Sequence, residues 1–540
     1  MKKFLPITIL SLFVFGSSAM AQAPVKLWDA YFNGALDGKD ESRCVLVDVA
    51  GNVYITGISF NTASKGNFTT VKYDPQGYQL WESSESGTQT SSTSEGRKLV
   101  MDKWGIIYGI GTLSFHSGDL AIIKYNADGK IWAKAYEPYW FGSDKDFGVD
   151  IALDTFGNVF TVSQITSLDG ELWNLYTMKT DSSGDKIFED NYSSASGDDY
   201  AEGIAVSPAG IPYALASCFN FWGSGTYDIH TIKYLSSGTQ DWLSKYDGAG
   251  TDEDYGTCIK ADANENTYVC GIADAGSNND MVAYKQNLYG TRFWTVTYNG
   301  SANGNDTAIA ISYLPNGLVA VTGNSLEING SNKNAIVTML IDSGTVLWTQ
   351  KYYGDDDNGA FAKAIAIDQE GNIFVCGFEK SASGSDAVIL KYDQSGNLKW
   401  NEVFNGTGNL SDRFNSIVVD DSTNIYVTGQ SFTSSTNSDY VTAKYAQTGV
   451  FSSIPSGNSD SGGLTVFPNP VTSDEVMING AFKEGDRISL FDEAGRKIFS
   501  SAITAPANWY HIPLANFSEG FYVVAVESSA SVTKVKLVVQ

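Results

Sequence analysis

Histidine is nearly missing from this chain. Three occur in 540 residues, His116, His230 and His511, and no two stand at metal-ligand spacing. A histidine-based triad or a zinc centre therefore has no support. Proline is scarce at 12. The five cysteines (Cys44, Cys218, Cys258, Cys270 and Cys376) are an odd count that defines no disulfide framework. Positive charge is also short: 35 Lys and Arg stand against 61 Asp and Glu, a net charge of −26. That balance excludes nucleic acid and anionic membrane as partners, since both reward a basic face. No later segment reaches the run of about 20 apolar residues that a transmembrane helix needs. Neither a Gly-x-Ser-x-Gly elbow nor a phosphate-cradling glycine loop before a helix is present.

What the chain does have is 54 glycines and 13% aromatic residues, with 42% of residues hydrophobic. Many glycines with many rings point to all-β structure joined by tight turns. The first residues are a processing signal. Lys2 and Lys3 precede an apolar run from Phe4 to Phe15, and Ala19-Met20-Ala21 supplies a small-x-small cleavage site. Residues 1–21 thus read as a signal peptide. No cysteine follows the run, which argues against a lipoprotein anchor.

An internal repeat dominates the rest. Trp28, Trp81, Trp132, Phe188, Trp242, Trp294, Trp348, Trp400 and Phe451 are separated by steps of 51 to 56 residues, which makes eight units. A second column is aromatic: Tyr54, Tyr108, Phe160, Tyr213, Tyr268, Phe374 and Tyr426, with Ala320 the exception. A third is Lys72, Lys124, Lys179, Lys233, Lys285, Lys391 and Lys444, with Met339 the exception. An Asx stands five positions before each, Asn334 among them. Each unit reads as four short strands, and no window carries a helical period. One four-stranded sheet cannot cover both its faces. Sheets repeated at this step stack around an axis, so the expectation is an eight-bladed β-propeller over residues 22–451 with the Trp column between blades. The chain starts on an outer strand and ends with three inner strands of unit eight, so the strand around Trp28 is expected to complete the last blade.

The pattern Asp-x-x-Gly-Asn-x-aromatic-x-x-Gly, followed by Lys-Tyr-Asp-x-x-Gly-x-x-x-Trp, resembles the SBBP-type propeller repeat of secreted bacterial proteins. Glu265 and Thr423 replace the turn glycine in two units. Residues 452–463 are Ser/Gly/Asp-rich and read as a linker. From 464 to 540 short alternating strands predict a small β-sandwich. Phe467-Pro468-Asn469-Pro470, the Asp492–Arg496 turn, Gly520-Phe521-Tyr522 and the terminal Lys-x-Lys-Leu-x-Val run resemble the type A C-terminal sorting domain of the type IX secretion system of Bacteroidota. That resemblance implies contact with the secretion machinery, export across the outer membrane, and a secreted or surface-attached product.

Candidate functional residues are fewer. Asp40, Asp146, Asp199, Asp254, Asp306 and Asp412 recur where the chain enters each inner strand, with Ser94 and Ala360 in the other two units. Carboxylates ringing one face could hold Ca²⁺. Each could equally cap its own loop by accepting backbone N–H groups, and recurrence in nearly every unit favours capping. Cys258 and Cys270 flank one turn symmetrically, so they face each other either as a cross-strand disulfide or as two buried thiols. Binding should lie where units depart from the repeat. Units three and four carry extra aromatics in their connections: Tyr139, Trp140, Phe141 and Trp173 in one, Phe219, Phe221 and Trp222 in the other. Such rings beside Asp and Asn suit a sugar, whose apolar face stacks while its hydroxyls bond amides and carboxylates. The expectation is a non-enzymatic protein that binds a glycan or a surface protein on one propeller face. The alternatives are a structural or adhesive surface component and a polysaccharide-degrading enzyme.

Overall fold

The computed structural model describes residues 23–447, apart from 36–37, 63–64, 89–92, 115–117, 138–145, 168–171, 195–196, 221–224, 251–252, 277, 356–357, 383 and 436. It also describes residues 465–539, apart from 468–474, 492–496, 515–519 and 529–531. The expected signal peptide at 1–21, the expected linker at 452–463 and His116 lie outside the described residues. The chain forms two compact units, 1–448 and 449–540. Among the described residues no helix is long and apolar enough to cross a membrane.

The first unit consists of eight antiparallel four-stranded sheets. Blade 1 is Glu41–Val47, Val53–Thr62, Lys65–Tyr73 and Gln79–Glu85, in that spatial order. Blades 2 to 7 repeat this order over 95–136, 147–192, 199–246, 255–298, 307–352 and 360–404. The first strand of every blade touches the first strands of both neighbours in a closed ring, so these strands are innermost. Blade 8 has three strands of its own, Asp412–Val419, Ile425–Phe432 and Ser438–Ala446, and its fourth is Val25–Phe32 from the other end of the chain. The expected closure of the ring by the Trp28 strand is what the molecule has.

Burial follows from stacking. The middle strands are covered on both faces, as in Ile107–Leu113, where every residue is buried. The outermost strands alternate, as in Gln79–Glu85. The apolar clusters lie between sheets: Tyr54 and Phe68 of blade 1 pack with Leu99, Ile107, Ile123 and Tyr125 of blade 2.

The three sequence columns are one row across each blade. Tyr54 lies opposite Lys72 and Lys72 opposite Trp81. The Lys72 ammonium sits 5.2 Å from the Tyr54 ring centroid. It also donates to the Ala127 carbonyl of blade 2 at 2.8 Å, and Trp81 Nε1 donates to the same oxygen at 3.1 Å. Lys233 and Trp242 share the Leu288 carbonyl of blade 5 in the same way, at 3.2 and 2.8 Å. The Lys heads therefore bind a neighbour's turn. The glycine of that turn is needed twice over. Gly77 has φ 89°, and a Cβ there would stand 2.7 Å from the Trp28 ring.

The other repeated turn is an Asp knot. Asp368 Oδ1 accepts from the backbone N–H groups of Glu370 (3.0 Å) and Asn372 (2.8 Å), and Oδ2 accepts from Asn372 Nδ2 (2.7 Å). Glu265 and Thr423 take the left-handed conformation of the glycine they replace, at φ 60° and 64°.

Two sequence expectations are corrected. In blade 6 the residue opposite Ala320 and Trp348 is Leu340, one position after Met339, and the residue in the Asx position is Ala335, not Asn334. Here the turn between the third and fourth strands is only Ser343-Gly344, so the row residue stands eight positions before Trp348, whereas Lys72 stands nine before Trp81. Second, the candidate disulfide between Cys258 and Cys270 is not formed. The residues are paired across the hairpin, but all five cysteines are free thiols. The two thiols lie beside each other as hydrogen-bond partners without a covalent bond; the Thr257 hydroxyl is 3.4 Å from the Cys270 sulfur, and Cys258 Sγ is 4.0 Å from the Ile311 carbonyl.

The second unit has a three-stranded sheet (Thr465–Phe467, Glu475–Phe482, Ala507–Pro513) and a four-stranded one (Lys497–Ala502, Arg487–Phe491, Gly520–Glu527, Val532–Val539). Val476, Ile478, Ile488, Leu490, Ile512, Val524 and Leu537 from both sheets share one core, which makes a small β-sandwich.

Candidate binding face

Strand order decides which connections share a face. Those between blades, and those between the second and third strands, emerge at the end where the innermost strands begin. All the aromatic candidates belong to these connections. Tyr139, Trp140, Phe141, Phe221 and Trp222 lie outside the described residues. Trp173 starts the third strand of blade 3 and Phe219 ends the second strand of blade 4, so both sit at this end.

The two belong to separate ring clusters joined by one carboxylate. Trp173 packs against Phe147, with ring centroids 5.7 Å apart. Phe219 meets Tyr227 edge-on at 5.4 Å. Tyr227 is sandwiched between Tyr200 at 5.4 Å and Tyr255 at 5.3 Å, both stacked. Asp198 ties the clusters together. Its Oδ1 accepts from the Trp173 backbone N–H at 2.9 Å, its Oδ2 from the Tyr200 hydroxyl at 3.2 Å, and its carbonyl from the Phe219 N–H at 3.1 Å. Tyr255 donates its hydroxyl to Glu253 Oε2 at 2.5 Å. All six rings are half-buried. Offset stacking makes such an array stiff, and it ends in hydroxyls and carboxylates.

Sequence reasoning missed Phe147, Tyr200, Tyr227 and Tyr255. A signal existed. Phe147, Tyr200 and Tyr255 each follow the column Asp of their unit, on three consecutive innermost strands. In three other units that position carries charge, Glu41, Glu95 and Arg413, and in the remaining two it is Thr307 and Phe361. Arg413 pairs with Glu41 (3.0 Å), and Arg43 and Arg97 both pair with Glu95 (2.9 and 2.8 Å). Blades 3 to 5 thus present an aromatic run at the mouth, and blades 8, 1 and 2 an ion-paired one.

The ring of aspartates mostly caps loops. Asp306 Oδ2 accepts from the Gly300 N–H at 2.5 Å and Oδ1 from the Leu326 N–H at 2.9 Å. Asp40 does the same with Gly34 (2.5 Å) and Phe60 (2.7 Å), and Asp254 with Gly248 (2.5 Å) and Asp274 (2.7 Å). Asp199 and Asp412 each accept one such bond, from Ser194 at 2.6 Å and Gly406 at 2.7 Å. Among the described residues one acidic group converges, Asp228, Asp247 and Asp254, each with an oxygen within 4.8 Å of the others. Of the six predicted cation ligands only Asp254 belongs to it, and both its oxygens already hold N–H groups. Burial, with Asp247 and Asp228 beside it, pushes Asp254 up to about 6.

Glu202, on the innermost strand of blade 4, is a second carboxyl raised well above its ordinary range. Burial pushes it up to about 7, against a single hydrogen bond from the Ser217 hydroxyl at 2.9 Å. His230 is held neutral, lowered to about 3 by burial and the nearby Lys245, with the Tyr192 hydroxyl 3.0 Å from Nδ1.

Geometry defines the first unit as an eight-bladed β-propeller. Residues 465–540 match the family described as secretion system C-terminal sorting domain. The tail is thus a type IX sorting domain, and the protein is exported to the outer cell surface. No curated protein sequence matches the chain. Among solved structures it is similar to a protein of unknown function from Bacteroides caccae, with 13% identity and a TM-score of 0.32 over 57% of this chain and 98% of that one. It is similar also to an α-L-arabinanase from Penicillium chrysogenum, with 11% identity and a TM-score of 0.35 over 60% and 100%. A third is the NanB sialidase from Streptococcus pneumoniae, with 10% identity and a TM-score of 0.36 over 77% and 94%.

Proposed function

We propose that the chain is a non-enzymatic recognition protein of the cell surface that binds a glycan on the face carrying the aromatic array. The observation that carries this reading is the stack Tyr200–Tyr227–Tyr255, at 5.3 to 5.4 Å, rimmed by Asp198 and Glu253. Half-buried rings offer apolar area at low entropic cost. The carboxylates and phenols at their margin bond hydroxyls, and pyranoses need both. Tyr139, Trp140, Phe141, Phe221 and Trp222, outside the described residues, remain candidates on their sequence alone. The repeat is read as SBBP-type on its Asp-x-x-Gly-Asn turn, with the propeller over 22–451 and the sorting domain over 464–540. The test is a glycan array probed with the secreted protein and with Tyr200→Ala/Tyr255→Ala. Binding that the double variant loses at an unchanged melting temperature supports the reading; equal binding by the variant contradicts it.

One group favours a second reading, a polysaccharide-degrading enzyme. Glu202, on the innermost strand and raised to about 7, keeps its proton at slightly acidic pH and could donate it as a general acid. Release of reducing ends from the bound glycan, lost in Glu202→Gln, would decide for the enzyme.

A further inference from the structure

A separate pocket opens on the same face, at the seam of blades 7 and 8. It encloses about 410 Å³ and is lined by Phe378, Asp412, Arg413, Gln430 and Phe432, with Ser385, Leu410, Ser411, Ser434 and Ser435 at its edge. That volume is within the range of about 300–1,000 Å³ usual for small-ligand sites. Phe432 ends the second strand of blade 8, and Phe378 lies near the end of the second strand of blade 7, Ile373–Ser381. Phe361 stacks on Phe378 at 5.0 Å and 19°, which fixes that ring. Each of the two lining rings carries an ammonium group: Lys363 Nζ is 6.0 Å from the Phe378 centroid, and Lys39 Nζ is 6.0 Å from that of Phe432. Lys39 is held there by a backbone bridge to Ser438.

The lining also has unmet hydrogen-bonding capacity. Gln430 is 4% exposed and donates through Nε2 to the Ser438 hydroxyl at 2.6 Å, but its Oε1 has no partner. Arg413 is fixed by Glu41 at 3.0 Å, and its Nε–H has none. A buried acceptor and a buried donor against one cavity are what hydroxyl groups satisfy, since each hydroxyl both donates and accepts. Arg413 lies in the lining itself, and in a chain of net charge −26 two further cations, Lys39 and Lys363, stand beside its rings. Against them stand Glu41, which is spent on Arg413, and Asp412 with Asp386 near it. The lining's own charges, Asp412 and Arg413, balance, so selection of an anion rests on the ammonium groups of Lys39 and Lys363 beside its rings.

We propose that this seam pocket binds a pyranose bearing a carboxylate or sulfate group. The ring packs against Phe378 and Phe432, its hydroxyls meet Gln430 and Arg413, and its acidic group faces Lys39 and Lys363. The site is independent of the tyrosine stack. Calorimetric titration of the full secreted chain with an oligogalacturonate, a sulfated galactan oligosaccharide and a neutral cello-oligosaccharide tests it. At least one acidic sugar should bind tenfold or more tighter than the neutral one, and which of the two does so identifies the acidic group. Lys39→Gln/Lys363→Gln should abolish that preference with the melting temperature unchanged, and Phe432→Ala should weaken binding at least tenfold. Tyr200→Ala/Tyr255→Ala should leave this binding intact even if it abolishes binding elsewhere on the face. No acidic sugar binding, equal affinity for acidic and neutral sugars, or a preference that survives the lysine substitutions would overturn the proposal.

Discussion

Trp28 lies opposite Lys444 across the strand pair that closes the ring, and both donate to the Pro75 carbonyl of blade 1, at 2.9 and 3.4 Å. First and last strands are thereby joined, and their shared row is stapled to the next blade by the same two-donor contact found at Ala127 and Leu288. The closure is one more copy of the repeat, made from two ends of the chain.

Removing that copy should open the ring. Deleting residues 22–34 should lower the melting temperature by many degrees. Trp28→Ala should cost about 2 to 3 kcal/mol, below the usual loss for a fully buried ring because Trp28 is half-buried. Denaturant melts read both effects; an unchanged midpoint in the deletion would contradict the closure.

Thr423 is β-branched and held at φ 64°. That conformation strains any residue with a Cβ and a branched one most. Thr423→Gly should therefore raise stability by about 0.5 kcal/mol or more, after the entropic cost of glycine. Glu265→Gly should gain less, because Glu265 also pairs with Lys233 at 3.2 Å. Equal responses, measured by thermal melts, would count against strain as the cause.

Two buried groups give opposite pH slopes. Glu202 has its carboxyl raised to about 7 from 4.5, so the unfolded chain loses its proton first as pH rises. Its contribution should fall between pH 4.5 and 7 and stay flat above. His230 is lowered to about 3 from 6.5, so its contribution should be lost as pH falls through that interval. Melts from pH 3 to 8 should show the first slope vanish in Glu202→Gln and the second in His230→Asn. Unaltered slopes would contradict both assignments.

Export rests on the tail. A chain ending at residue 463 should accumulate in the periplasm, read by fractionation and immunoblot. Efficient appearance of the truncated chain at the surface would remove the sorting role from residues 464–540.

Much of the propeller was legible because its determinants are periodic. The Tyr54–Lys72–Trp81 row recurs at nearly constant spacing, and each member stands in the same register in every blade but one. Blade 6 misled by one residue because its short Ser343-Gly344 turn brings the row residue one position closer to the Trp. The aromatic array was legible only in part. Trp173 and Phe219 were visible as departures from the repeat, whereas Tyr200, Tyr227 and Tyr255 are spread over two units and meet only once the innermost strands are side by side. The seam pocket was not legible at all, since Lys39 precedes blade 1 and joins Phe432 solely through ring closure.

The central claim is that this face recognises a glycan. A glycan array probed with the secreted protein beside Tyr200→Ala/Tyr255→Ala measures it most directly. The account predicts saturable binding by the wild type that the double variant loses while melting at the same temperature. No glycan bound by the wild type, or undiminished binding by the variant, would contradict it.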